Sequence, residues 1–351
     1  MKRIILAATI LLVGLSTAAG ADRRAIERAI DPSGLKQGGE VLISRGDKIL
    51  FHEKYGTAIV AASGKWRWAS VTKQVIATLV MQEVAAGRID LDKPVSAYLP
   101  RFRSPNATRV TVRQLLRHQS GLPNPDDTAA SPGAIPAYHA PGYSGSRDPL
   151  TGYCAGPVKG EPGGEWRYNN CDYIVAGALL EAVTGRSWQR LVRERIAGPY
   201  NMPSVGAFPT GRAVAAGMID GKPDTGYDLK AFGAAAALYC TASDLRKFDR
   251  ALMRGKLLPA AARAEIWDGR PELGSIALGQ WVYIAPLKGC PYPARIVERR
   301  GQMGGVEVRN FILPEWDVVV IAFSDHAGVD FGEVWQGKGV SHDLLAATIC
   351  A

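Results

Sequence analysis

Ser70 and Lys73 head a run in which Val75, Ile76, Leu79, Val80 and Val84 recur at helical spacing, with Gly87 as a stop. A spacing of three stacks the hydroxyl and the amine on one helical face. The start of a helix leaves N–H groups unpaired and presents the positive end of the dipole. That favours an alkoxide and weakens the amine's hold on its proton. A lysine freed of its proton is a base for the adjacent hydroxyl, which is what nucleophilic catalysis needs. Ser-x-x-Lys alone is a weak signal: 17 Ser and 14 Lys in 351 residues give roughly 0.7 by chance. Ser33-Gly34-Leu35-Lys36 has the same spacing but follows Asp31-Pro32 and opens no apolar stripe, so context selects Ser70.

Tyr168-Asn169-Asn170 precedes a second stripe, Ile174, Val175, Leu179, Leu180 and Val183, ended by Gly185. A phenol and an amide two residues apart face one cleft when the backbone between them is extended. The phenol could hold or shuttle a proton and the amide align a carbonyl; the plain alternatives are a packing tyrosine and a helix N-cap. Other schemes do worse. No G-x-S-x-G elbow occurs. His118 and Ser120 read as a helix-ending segment. His52, His139, His326 and His342 lack metal-binding spacing, so no metal is expected. Arg186, Arg190, Arg193 and Arg195, with Glu194, read as a solvated helix face.

The elements that must position these groups are helices between two strand-rich ends. Glu40–Ser44 and Lys48–Lys54 are joined by Arg45-Gly46-Asp47, a hairpin signal. Leu278–Ile284, Arg295–Arg299, Val306–Leu313 and Val318–Phe323 are rich in β-branched and aromatic residues, with a turn at Pro314-Glu315-Trp316-Asp317. Helices are expected at Ala25–Ile30 and Val340–Ile349, so strands from both ends pair most simply in one antiparallel sheet covered by them. Thr111-Val112-Arg113-Gln114 is a capping box, and Thr241 to Asp244 caps a helix carrying Leu245, Phe248 and Leu252. The Gly/Pro-rich segment 123–165 holds Tyr138, Tyr143 and Tyr153 and reads as an ordered loop walling a pocket.

Composition narrows the class. With 47% apolar and 21% charged residues the chain is globular, and a scattered net charge of +9 gives no sign of nucleic-acid binding. Lys2 and Arg3, an apolar run from Ile4 to Leu15 and Ala19-Gly20-Ala21 make residues 1–21 a signal peptide, cut before Asp22. The expected location is secreted, periplasmic if the source is Gram-negative, with no stable membrane insertion. Five cysteines fit an oxidising compartment; Cys154 with Cys171 is the first expected pair and Cys290 with Cys350 the second.

Several motifs in order resemble the serine beta-lactamase-like family, in its class C, penicillin-binding and esterase branch. Trp68-Ala69-Ser70-Val71-Thr72-Lys73 is similar to its nucleophile helix, and Gly87-Arg88-Ile89-Asp90-Leu91-Asp92-Lys93-Pro94 to its next turn. Leu115 to Pro123 resembles its helix end, Tyr168-Asn169-Asn170 its Tyr-x-Asn motif, and Leu238 to Leu245 its Tyr-Ser-Thr-Ala-x-Asp-Leu segment with Cys240 for the serine. The resemblance implies an α+β fold: a five-stranded antiparallel sheet flanked by terminal helices (22–66 and 265–351) with an inserted, mainly helical domain (67–264). It implies a serine hydrolase forming an acyl-enzyme on a small-molecule ester, amide or peptide, without cofactor. Ser70, Lys73 and Tyr168 would be catalytic, Asn170 would position substrate, and the N–H groups of Ser70 and Gly305 would hold the oxyanion. The third motif departs from the pattern. Where the family has Lys or His, then Thr, Ser or Gly, then Gly, the aligned run is Gly301-Gln302-Met303-Gly304-Gly305. Gln302 carries no charge, which favours an ester or neutral amide unless Arg299, Arg300 or Arg309 substitutes. The same departure motivates a rival: a binding or regulatory protein of the cell envelope without turnover.

Overall fold

The computed structural model describes residues 21–56, 64–131, 134–210 and 213–350, so the expected signal peptide lies outside it apart from Ala21. Helix α1 (Arg23–Ile30) is capped by Asp22, whose carboxylate accepts from the Arg24 N–H at 3.0 Å. Strands β1 (Gly38–Arg45) and β2 (Lys48–Gly56) form the expected hairpin. Helices α2 (Thr72–Ala85), α3 (Val112–Leu116), α4 (Asn170–Thr184) and α5 (Ala242–Met253) follow. Strands β3 (Trp281–Ala285), β4 (Ala294–Met303), β5 (Val306–Leu313) and β6 (Val318–Ser324) precede the last helix, α6 (Val340–Ile349).

The sheet runs β3-β4-β5-β6-β1-β2, antiparallel throughout. It has six strands where five were expected. The Leu278–Ile284 segment yields the short β3, which pairs with β4 from Trp281 opposite Glu298 to Ala285 opposite Ala294. β3 is an edge strand, and Ile284 on it is left 72% exposed. Hydrogen bonding of β1 to β6 brings the two ends of the chain together, and α1 packs on α6 over one face. On that face alternate strand residues are apolar: Val41, Ile43, Phe311, Val318 and Val320 share one cluster with Ile26 and Leu345. Leu42, Val308, Ile321 and Phe323 point the other way, into the cluster built around α2 and α4.

Local chemistry explains the helix ends. The capping box at α3 is complete: the Gln114 N–H donates to Thr111 Oγ1 at 3.2 Å, and the Thr111 N–H donates back to Gln114 Oε1 at 3.0 Å. Thr241 caps α5 by accepting from the Asp244 N–H. Residues 72–81 of α2 are buried all round, so the sequence stripe understates a helix enclosed on every side.

Candidate active site

Ser70 sits on a tight turn, Ala69–Val71, that feeds directly into α2, rather than on the α-helix itself. The preceding Ala69 has φ +46°, a left-handed conformation that costs a non-glycine residue about 1–2 kcal/mol. Trp68 and Ala69 are fully buried, and the Trp68 N–H donates to Leu238 O, so the surroundings impose that strained turn.

The structure brings Ser70, Lys73, Tyr168 and Asn170 together. Ser70 Oγ lies 2.5 Å from Tyr168 Oη. Lys73 Nζ donates to Ser70 Oγ at 3.0 Å, to Asn170 Oδ1 at 2.6 Å and to Ala235 O at 3.1 Å. Three donated bonds use all the protons of an ammonium, so in this arrangement the Ser70 O–H is left to donate to Tyr168. Burial is the main influence on Lys73, pulling its pKa down to about 8, while the adjacent Tyr168 opposes the fall. Burial pushes Tyr168 the other way, but Lys73 and Arg299 beside it outweigh that and hold the phenol below its ordinary value.

Asn169, not Asn170, is the N-cap of α4: its Oδ1 accepts from the Cys171 N–H at 2.7 Å. Asn170 therefore begins the helix with its amide free to face Lys73. The disulfide Cys154–Cys171 ties this turn to the Gly/Pro-rich loop, and a second disulfide joins Cys290 to Cys350. The loop is ordered against the site. Tyr138, Tyr143 and Tyr153 pack their rings together, and Tyr153 Oη donates to Asn124 O at 2.9 Å. His118 and Ser120 form a buried cluster with Asp172: His118 Nδ1 is 3.0 Å from Asp172 Oδ2, and the Ser120 hydroxyl bonds the same carboxylate. The His118 ring packs on Tyr168, which makes the segment a support for the phenol.

The third motif requires a correction. Gly304 and Gly305 make the two-residue turn between β4 and β5, where Met303 pairs with Val306. The Gly305 N–H donates to Asp224 Oδ2 at 2.9 Å, so it is not an oxyanion donor as expected. A Cβ on Gly304 would stand 2.0 Å from that oxygen and one on Gly305 2.3 Å from Met218 N; both glycines serve close packing of the 217–224 turn. Asp224 is held in turn by Arg67, Nη1 to Oδ2 at 2.5 Å and Nη2 to Oδ1 at 2.9 Å. The glycine that meets the Ser70 turn is Gly301, where a Cβ would lie 2.7 Å from Ser70 N and 2.9 Å from Trp68 O.

The cation of the motif is therefore Arg299, two residues earlier, rather than Gln302. Arg299 is fully buried, donates from Nε to Ser70 O at 2.8 Å and from Nη2 to Tyr168 Oη at 3.0 Å. Its Nη1 has no partner, and no carboxylate among the described residues forms an ion pair with it. The Gln302 side chain is exposed on the rim. Its backbone has another use: Met303 and Val306 flank a two-residue turn as a hydrogen-bonded pair. By alternation the Gln302 N–H points away from β5. β3 ends opposite Glu298, so this N–H faces a free edge.

These groups open on a cavity of about 460 Å³ lined by Ser70, Tyr168, Asn170, Arg299, Gln302 and Gly304, with Trp166 and Trp281 among its walls. That size suits a small ligand. Asp126 and His139, from the Gly/Pro-rich loop, also line it, and neither has a role legible from sequence alone.

A buried serine, lysine and tyrosine beneath a strand edge on an α+β frame define the serine beta-lactamase/transpeptidase type of fold. The D-amino acid amidase of Ochrobactrum anthropi SV3 complexed with L-phenylalanine amide shares it, with TM-score 0.74, 21% identity and coverage of 92% of this chain and 98% of that one. So does a D-stereospecific amidohydrolase from Streptomyces sp., with TM-score 0.70, 22% identity and coverage of 94% and 99%. The family model described as Beta-lactamase matches residues 24–330, and the chain belongs to that family. Among relatives, the putative penicillin-binding protein PbpX of Bacillus subtilis is 28% identical over 263 residues, 73% of this chain and 61% of that protein. Esterase EstB of Burkholderia gladioli is 31% identical over 187 residues, 48% and 46% of the two chains. The chain thus spans between about half and three fifths of the length of these two relatives.

Proposed function

We propose that the protein is a secreted serine hydrolase that cleaves small esters or amides through an acyl-enzyme. The observation that carries this is the contact of Ser70 Oγ with both Lys73 Nζ and Tyr168 Oη beside an open cavity. Ser70 attacks the carbonyl carbon and passes its proton to Tyr168, whose phenolate form Lys73 and Arg299 favour. The N–H groups of Ser70 and Gln302 take the oxyanion, a role worth about 10²–10³ in rate per donor in other hydrolases. Tyr168 returns the proton to the leaving group; water then releases the acyl group by the same route. Asn170 aligns the substrate and Lys73 together.

The names of similar proteins, an esterase and amidases, support an ester or amide substrate. Secretion is supported by the pattern of residues 1–21 and by two disulfides suited to an oxidising compartment. The rival reading, a binder without turnover, was motivated by a third motif lacking a cation; Arg299 supplies one at the phenol, which favours catalysis. The test is hydrolysis of 4-nitrophenyl butyrate together with mass spectrometry after a fluorophosphonate probe. The wild type should hydrolyse the ester and gain the probe's mass on Ser70, and Ser70→Ala should do neither. A folded wild type that does neither would refute the reading.

A further inference from the structure

Four cationic groups, Lys73, Arg299, Arg300 and Arg309, stand at or under the cavity. Arg300 is neutralised by Glu298 and Glu333, and Arg309 lies 3.7 Å from Glu307. Asp126 is different. Among the described residues it forms no ion pair with a lysine or arginine; its partners are His139 Nε2 at 2.9 Å and Asn170 Nδ2 at 2.9 Å. Its side chain is 41% exposed, and it lines the cavity.

Its placement relative to Ser70 follows from the Asn170 amide. One end of that amide accepts from Lys73 and the other donates to Asp126, so the carboxylate stands one amide group beyond the lysine that touches Ser70. A charged group bonded next to a scissile carbonyl held at Ser70 can reach that position along the shared cavity wall. The carboxylate is also rigidly supported. His139 is 1% exposed and stacked on Phe232 with ring centroids 3.8 Å apart, and its Nδ1 is buried without a partner. Leaving such a nitrogen unpaired is costly, and a positioned imidazole is what holds Asp126 toward the chamber. Burial works to raise the Asp126 pKa, but the His139 bond and charge, with Lys73 and Asn170, bring it below the ordinary value, so it is an anion at neutral pH.

We propose that Asp126, held by His139, recognises a protonated amine on the acyl side of the substrate. The preferred substrates are then amino-acid esters and amides with a free amine, ahead of their des-amino or N-acylated counterparts. This rests on the acyl-hydrolase reading for the orientation of the substrate, but binding tests it without turnover. The Ser70→Ala protein is titrated calorimetrically, below neutral pH, with phenylalaninamide (both enantiomers) and with 3-phenylpropionamide, the same molecule without its amine.

At least one enantiomer should bind tenfold or more tightly than 3-phenylpropionamide. Adding Asp126→Asn should remove most of that preference by weakening the aminated ligand far more than the des-amino one. Equal or weaker binding of the amines to Ser70→Ala overturns the proposal. So does an Asp126→Asn change that weakens both ligands equally, since Asp126 would then act only by holding Asn170. The wild-type rate on 4-nitrophenyl butyrate reports separately on the hydrolase reading, so either idea can fail alone.

Discussion

On the face of the sheet that meets α1 and α6, the side chains between the strands are Val41, Ile43, Phe311, Leu313, Val318 and Val320, all buried. The opposite face, which meets α2 and α5, mixes Leu42, Val308 and Ile321 with Glu40, Arg299 and Asn310, equally buried. Some of those polar groups are well satisfied. Glu40 uses both oxygens, accepting from Trp66 Nε1 at 2.6 Å and lying 2.7 Å from His52 Nε2. Arg299 is not, for it lacks a carboxylate and leaves Nη1 unpaired. A buried guanidinium held by two hydrogen bonds and two aromatic rings but no carboxylate is a poor choice for stability alone, so its place on this face points to another use. One sheet thus separates two tasks: one face supplies apolar burial, and the other uses part of that stability to preorganise charges around Ser70.

One substitution on each face should separate the two tasks. Ser70→Ala should lower the rate on 4-nitrophenyl butyrate by at least about 10³-fold, with the melting temperature kept or raised. Phe311→Ala, on the α1/α6 face, should cost about 3–5 kcal/mol in denaturant unfolding because it empties a dry, close-packed site. Its kcat/KM per folded molecule should match the wild type. A Phe311→Ala enzyme that is stable but slow would show the two faces are not separate.

Gly301→Ala tests the same division at one atom. The added methyl would meet backbone atoms on both sides, Ser70 N and Trp68 O, neither of which can rotate away. Overpacking of this kind costs about 1–3 kcal/mol, and displacing Ser70 by a fraction of an ångström should cost more than tenfold in kcat. Normal kcat in that variant would return the strand glycine of the motif to Gly304.

The elements were largely readable because their causes are local. The α3 capping box, the β1–β2 hairpin and the limits of α6 rest on neighbouring residues, and they stand where the sequence placed them. The Ser70, Lys73, Tyr168 and Asn170 group was legible through motif order. What the sequence could not resolve was tertiary. Three glycines fall within Gly301 to Gly305, and only the approach of the Ser70 turn decides which one must lack a side chain. The cation at Arg299 followed from that choice; a cation two residues ahead of a strand glycine was the available signal. Asp126 was hidden in an irregular loop with no periodicity, where only the fold aims a carboxylate at Asn170.

Lys73→Met should abolish turnover and raise stability; the rise is the smallest of these stability changes and measures what the polar face costs. In the folded state the Lys73 pKa is pulled down to about 8 by burial, below its ordinary value of 10.5, so burying the ammonium opposes folding. Over that difference the penalty is about 3 kcal/mol, present in full below pH 8, where both states are protonated. As pH rises from about 8 to above 10 the folded state sheds the proton first, and the penalty disappears. Methionine removes the charge but leaves Asn170 Oδ1 and Ala235 O without their donor, offsetting part of the gain. The net expectation is a rise of about 1–2 kcal/mol in urea unfolding at pH 7 that vanishes or reverses above pH 10. Destabilisation by Lys73→Met at pH 7 would mean that the ammonium is compensated in place, and the contrast between the two faces would lose its energetic basis.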